Sequence, residues 1–236
     1  MQGVLSKVNL VPGDLSHLNQ TKASNTSQQI SLTGFTCGLF TEGVNQLKEL
    51  HTLYDRYFQG NAMTKWTPQE DHGCITLNAS SRFFTSLLDE PDAVPVPFGY
   101  GVDPNGHLQK FVGNHLIHTE DNIVSYFQRV KNESTGAYEM DVAFPSTFRT
   151  GDIVEIEASV IMFKTKQDQY KMHCNLRLLT LLDGTYSKLA EKAKRDSIAA
   201  ATIIPKVKLR RKSGYADEGP SKKHRGDETR PSEDPQ

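Results

Sequence analysis

His118-Thr119-Glu120-Asp121 is the one segment of this 236-residue chain whose residue types and spacing have a catalytic look. A histidine and a carboxylate separated by one residue match two ligands of the facial triad that holds non-haem Fe(II), whose third ligand is a distant histidine. His173 is a candidate for that position. His118, Glu120 and His173 would then hold iron in an oxoglutarate-type oxygenase, or in an inactive remnant of one. The plainer reading is that Thr119, Glu120 or Asp121 caps a turn, because so short a motif recurs by chance in a chain with 8 histidines. A basic anchor for the oxoglutarate carboxylate is not well placed, since Arg177 lies only two same-face positions beyond His173. The reading carried forward is therefore non-enzymatic and without a cofactor, with the iron site as its alternative.

Aromatic residues point to a different chemistry. Tyr126, Phe127 and Tyr138 could form a platform on which unpaired bases stack. Strand alternation sends Tyr126 and Phe127 to opposite faces, so at least one of them belongs to a core; Tyr126 and Tyr138 are the stacking candidates. Trp66, the only tryptophan, is either a binding aromatic or a plug beneath a loop. Cys37, Cys74 and Cys174 are odd in number and far apart, without a C-x-x-C pair, which argues against a disulfide framework and a zinc ribbon.

The last fifth of the chain has its own character. One basic cluster holds Lys206, Lys208, Arg210, Arg211 and Lys212, and a second holds Lys222, Lys223 and Arg225, with nine residues between Lys212 and Lys222. Two short basic runs at this spacing fit one extended groove, as in a bipartite nuclear-import signal, and they also suit phosphates. Residues 186–236 carry 13 Lys/Arg and 8 Asp/Glu, a net of +5, whereas residues 1–185 carry 14 and 20, a net of −6. An acidic body repels polyanions unless a local patch reverses the sign. No run approaches the ~18 apolar residues of a membrane helix, and the amino terminus lacks the apolar core of a signal peptide. A nuclear location and no membrane partner are expected.

Four elements must position these residues. Residues 1–29, rich in Ser, Thr, Asn and Gln, read as a flexible arm. Val44, Leu47, Leu50, Leu53, Tyr54, Tyr57 and Phe58 recur at helical steps, predicting an amphipathic helix over 41–59 with Thr41 as N-cap and Gly60 as stop. Cys74–Ala79 reads as a strand, and 81–89 as one or two helical turns. The prolines of 91–106 argue for a loop, ending in the tight turn Asp103-Pro104-Asn105-Gly106.

Two hairpins follow, 122–130 with 137–144, and 153–163 with 170–182. In the second, alternation predicts Val154, Ile156, Val160, Met172, Leu176 and Leu178 on one buried face. A turn centred on Gln167 sets Glu157 opposite Arg177 and Ser159 opposite Asn175. A last helix spans 184–204, and 205–236 reads as a disordered basic tail.

Three strings, F-G-Y-G-V-D-P-N-G at 98–106, H-T-E-D-N-I-V-S-Y-F at 118–127 and G-D-I-V-E at 151–155, resemble an uncharacterised family of proteins predicted from mushroom-forming fungi. The resemblance covers about half of the core, implies that 98–127 and 151–183 form one unit, and carries no activity with it.

The expected fold is a β-rich α+β domain over 30–183: a curved antiparallel sheet or a small barrel of the OB type, with one N-terminal helix packed on it. The expected function is a nuclear binding module. Its partners would be an import receptor and either single-stranded nucleic acid or another protein.

Overall fold

The computed structural model describes residues 1–11, 20–58, 63–113 and 115–202. The basic clusters, from Lys206 to Arg225, lie outside them, as does Gly60. Chain order runs β1 (Gln2–Asn9), α1 (Gln20–Ala23), β2 (Ser27–Thr33), α2 (Gly38–Tyr57), β3 (Gln69–Asp71), β4 (Cys74–Arg82), β5 (Thr85–Ser86), β6 (Leu116–Ile117), β7 (Ser125–Lys131), β8 (Tyr138–Val142), β9 (Ile153–Lys164), β10 (Tyr170–Asp183) and α3 (Thr185–Thr202). Met1–Arg195 make one compact unit; the described part of the second, Asp196–Gln236, is the end of α3.

The main sheet runs β3-β4-β2-β1-β9-β10-β7-β8, and β10 also returns to β4. That return pairs Asn175 with Ser80 in parallel and closes β4, β2, β1, β9 and β10 into a five-stranded barrel. Around the barrel, its strands follow one another as first, second, third, fifth and fourth in chain order. This is the Greek-key closure of an OB fold, which removes the edges that an open sheet would expose. The expected β-rich fold with a small OB-like barrel and two long helices is what the chain forms.

Alternation fills the interior. Leu5, Ile30, Leu32, Leu77, Ala79, Val154, Ile156, Cys174, Leu176 and Leu179 are all buried and share one cluster. The helix α2 adds Phe40 and Val44 to it. Gly34 makes that seating feasible, because a Cβ there would lie 2.3 Å from the Phe40 side chain.

The structure corrects several expectations. The proposed arm over 1–29 supplies β1 and the start of β2. Their spaced apolar residues, such as Leu5 and Ile30, are fully buried once neighbouring strands provide the other walls. Residues 12–19 lie outside the described set. The long helix begins with Cys37 as N-cap, and Thr41 instead sits in its first turn, its Oγ1 donating to the Cys37 carbonyl at 3.3 Å. The expected helical turns over 81–89 shrink to one at its end, where the Asp89 and Glu90 amides both donate to the Ser86 carbonyl at 3.0 Å; 81 and 82 extend β4, and β5 pairs with β6.

The β9–β10 hairpin has the expected register in its first half, with Ser159 opposite Asn175. Arg177 is then an extra residue, so Glu157 faces Leu178 and the parity reverses. Leu179 and Leu181 become the buried pair, while Leu178 and Val160 are only half-buried. Arg177 reaches sideways instead, its Nη1 donating to the Asp121 carbonyl at 2.8 Å and its Nε to Ser159 Oγ at 3.3 Å.

Candidate nucleic-acid interface

A strap over 63–68 shapes a polar concavity on the barrel. Met63 bridges to Tyr170, and the Thr64 amide and hydroxyl both donate to the Tyr170 carbonyl, at 2.8 and 2.9 Å. His51 Nε2, on α2, donates to the Thr64 carbonyl at 3.0 Å, so helix and strap are fastened together at the start of β10. The chain then runs through Lys65, Trp66, Thr67 and Pro68 into β3, whose Gln69 carbonyl accepts from Thr76 Oγ1 at 3.1 Å.

Between strap and barrel lies a pocket of about 340 Å³. Its floor uses the outward parity of β2 and β4 (Gln29, Thr76, Asn78 and Ser80), one wall is Lys171 and His173 of β10, and the other is Lys65 to Gln69. Trp66 is half-buried: it packs against the core cluster, as the plug reading expected, and it also lines the pocket. Among the described residues no Asp or Glu lines the pocket, although the body as a whole is acidic.

His173 stands at the seam of the barrel. Its Nε2 donates to the Ser80 carbonyl at 2.9 Å, and Phe163 meets its ring edge-on at 6.4 Å between centroids. Burial holds its pKa below the ordinary imidazole value; the Ser80 bond opposes this, and the charges of Lys171 and Arg82 add to it. Lys65 and Lys171 of the lining are exposed, and so is Arg82, whose charge reaches His173.

Elsewhere the structure separates what the sequence grouped. Among the described residues, no three His, Cys, Asp or Glu side chains are placed to share a metal ion. His118 and His173 are each fastened to a different carbonyl, Phe83 and Ser80, and Glu120 is exposed on a short turn. That turn carries the capping box expected of the plainer reading, built from Thr119 and Asn122. His118 is buried against Phe98, and burial lowers its pKa.

Tyr126 is 5% exposed, and its hydroxyl donates to the buried Gln28 Oε1, so it is closed to a base. Tyr138 is 63% exposed, with the Arg129 guanidinium 4.7 Å above its ring. Sequence reasoning missed Lys65, Gln29 and Asn78, which only the strap and the closure bring to one pocket with Lys171 and His173.

No family model and no curated protein matches the chain. Among solved structures it is similar to a crystal structure of gp2.5, a single-stranded DNA binding protein encoded by bacteriophage T7. That similarity has 10% identity and a TM-score of 0.40, over 78% of this chain and 84% of that one. So loose a likeness carries no argument, and the functional reading rests on the residues of this chain. Among the described residues no helix is long and apolar enough to cross a membrane.

Proposed function

We propose that this protein binds single-stranded nucleic acid in the pocket between the strap and the β2–β4 face. The observation that carries the reading is the composition of that pocket among the described residues: two lysines, a histidine, a tryptophan and six neutral polar side chains of Gln, Asn, Ser and Thr bordering the cleft, without one carboxylate. Cations hold the phosphates, the exposed part of the indole offers a stacking surface, and the Gln and Asn amides can meet base edges. OB barrels use the face of their second and third strands, with the loop joining the fourth to the fifth, for oligonucleotides. Here those strands are β2 and β4, and that loop leads directly to Lys171. A fold hosts many functions, so the weight falls on the residues, not on the barrel.

The basic clusters of the tail add sequence-tolerant phosphate affinity in this reading, and they carry the chain into the nucleus through an import receptor. Protein binding is the reading that remains if nucleic acid is not bound.

Fluorescence anisotropy with a labelled oligothymidine tests the proposal. Trp66→Ala and the double variant Lys65→Ala/Lys171→Ala should each weaken binding about tenfold or more, a stacked base being worth ~1–3 kcal/mol. The double variant should also flatten the salt dependence, by roughly 0.7 in slope for each phosphate it no longer neutralises. Removing everything after Ile204 should weaken binding without abolishing it. Wild-type affinity in the Trp66 and lysine variants would overturn the pocket, and loss of all binding on truncation would assign the affinity to the tail alone.

A further inference from the structure

The strand β8 ends the main sheet and differs from every other long strand in having all five residues exposed. Its backbone explains what that exposure offers. The Asn132 amide donates to the Ala137 carbonyl at 2.8 Å, and the Ala143 amide to the Tyr126 carbonyl at 3.0 Å. Odd-numbered residues therefore turn their backbone groups toward β7. Because successive residues alternate, the N–H and C=O of Tyr138, Met140 and Val142 point away from it, and no described strand lies there.

The same three residues carry an apolar row of side chains, 63%, 57% and 69% exposed. Phe144 continues the row and meets Tyr100, ring centroids 4.8 Å apart. The opposite face of β8 carries Glu139 and Asp141, both exposed. The strand is thus apolar on one side, anionic on the other, and unpaired along its edge by any described strand.

We infer that β8 is a docking edge for an extended peptide whose side chains alternate apolar and basic. Such a strand would complete the outward backbone hydrogen bonds, lay its apolar residues beside Tyr138, Met140 and Val142, and set its cations beside Glu139 and Asp141. A second copy of β8 is the wrong occupant. In an antiparallel pair about a two-fold axis it would place carboxylates of the two copies opposite one another, which is how sheets guard edges against self-association. This chain's own sequence Lys206-Val207-Lys208-Leu209-Arg210 has the required alternation, and it supplies a probe of the right chemistry.

The test uses the full chain and a fluorescein-labelled synthetic peptide spanning the sequence of residues 205–212, with a shuffled peptide of equal composition in which basic and apolar residues no longer alternate. The alternating peptide should bind about tenfold or more tighter than the shuffled one. Glu139→Lys/Asp141→Lys should cost about tenfold, the scale of a broken charge pair at an interface. Met140→Pro removes an outward amide that β7 does not use, and it should abolish binding. If Met140→Pro unfolds the protein, the charge reversal and the shuffled peptide decide. Trp66→Ala should leave peptide binding unchanged, which separates this edge from the nucleic-acid pocket.

Equal binding of the two peptides, or indifference to the charge reversal, would overturn the proposal. So would a Tyr138→Ala variant that loses oligothymidine but keeps the peptide, which would make this face part of the nucleic-acid path.

Discussion

His173 Nε2 lies 2.9 Å from the Ser80 carbonyl oxygen, and this hydrogen bond joins β10 to β4 where the barrel closes. The same ring lines the pocket, so closure and site share one residue.

That sharing predicts a pH dependence of stability. Burial first, and then the charges of Lys171 and Arg82, keep the folded imidazole of His173 below its ordinary pKa, and burial does the same to His118. The unfolded chain takes up protons near pH ~6.5 that the folded chain refuses. The stabilisation is therefore present above pH ~6.5 and is lost progressively as the pH falls from there toward the lowered folded values. Thermal melts should give a lower Tm at pH ~5.5 than at pH ~7.5, on either side of that ordinary value. His173→Gln, whose amide can still donate to Ser80, should narrow the difference. An unchanged Tm across that interval would contradict the assignment.

The β9–β10 hairpin should be the most sensitive part of the core. Ile156 is 2% exposed and Leu176 fully buried, so truncating either to alanine removes a packed side chain and leaves a cavity. Urea denaturation should show a loss of ~2–5 kcal/mol for each. Leu178→Ala, at a half-buried position after the reversal of parity, should cost clearly less.

For the tail, a fluorescent fusion too large to diffuse through nuclear pores should accumulate in nuclei. Alanine at Arg210, Arg211, Lys212, Lys222 and Lys223 together should redistribute it, because both clusters are needed to fill one extended groove. Equal nuclear and cytoplasmic signal before and after the change would remove the import reading.

The long helix and both hairpins were legible in the sequence because a single element's periodicity reports which of its own faces is apolar, whatever packs against it. Val44 and Leu47 at helical spacing announced α2, and Val154 and Ile156 at period two announced β9. The turn at Asp103–Gly106 was legible for the same local reason: the Gly106 amide donates to the Asp103 carbonyl at 3.2 Å.

What failed was whatever depends on a partner distant in the chain. Residues 2–9 carry only Val4, Leu5 and Val8 as large apolar groups and read as part of the arm, yet Leu5 is fully buried once β2 and β9 flank it. The bulge at Arg177 has no local signature. It sends the guanidinium to Asp121, more than fifty residues away, and exchanges Leu178 for Leu179 in the core.

By itself, the sequence determined α2 and both hairpins, the inward faces of α2, β9 and the first half of β10, and the charge contrast between body and tail, since each follows from neighbours along the chain. Tertiary structure alone decided the closure at Asn175 and Ser80, the burial of Tyr126 on Gln28, the fastening of His118 to Phe83 and of His173 to Ser80, and the placing of Trp66 and Lys171 on one pocket. Each of these joins segments dozens of residues apart. Alternation constrains which side of a strand a residue occupies, but not which strand will lie beside it.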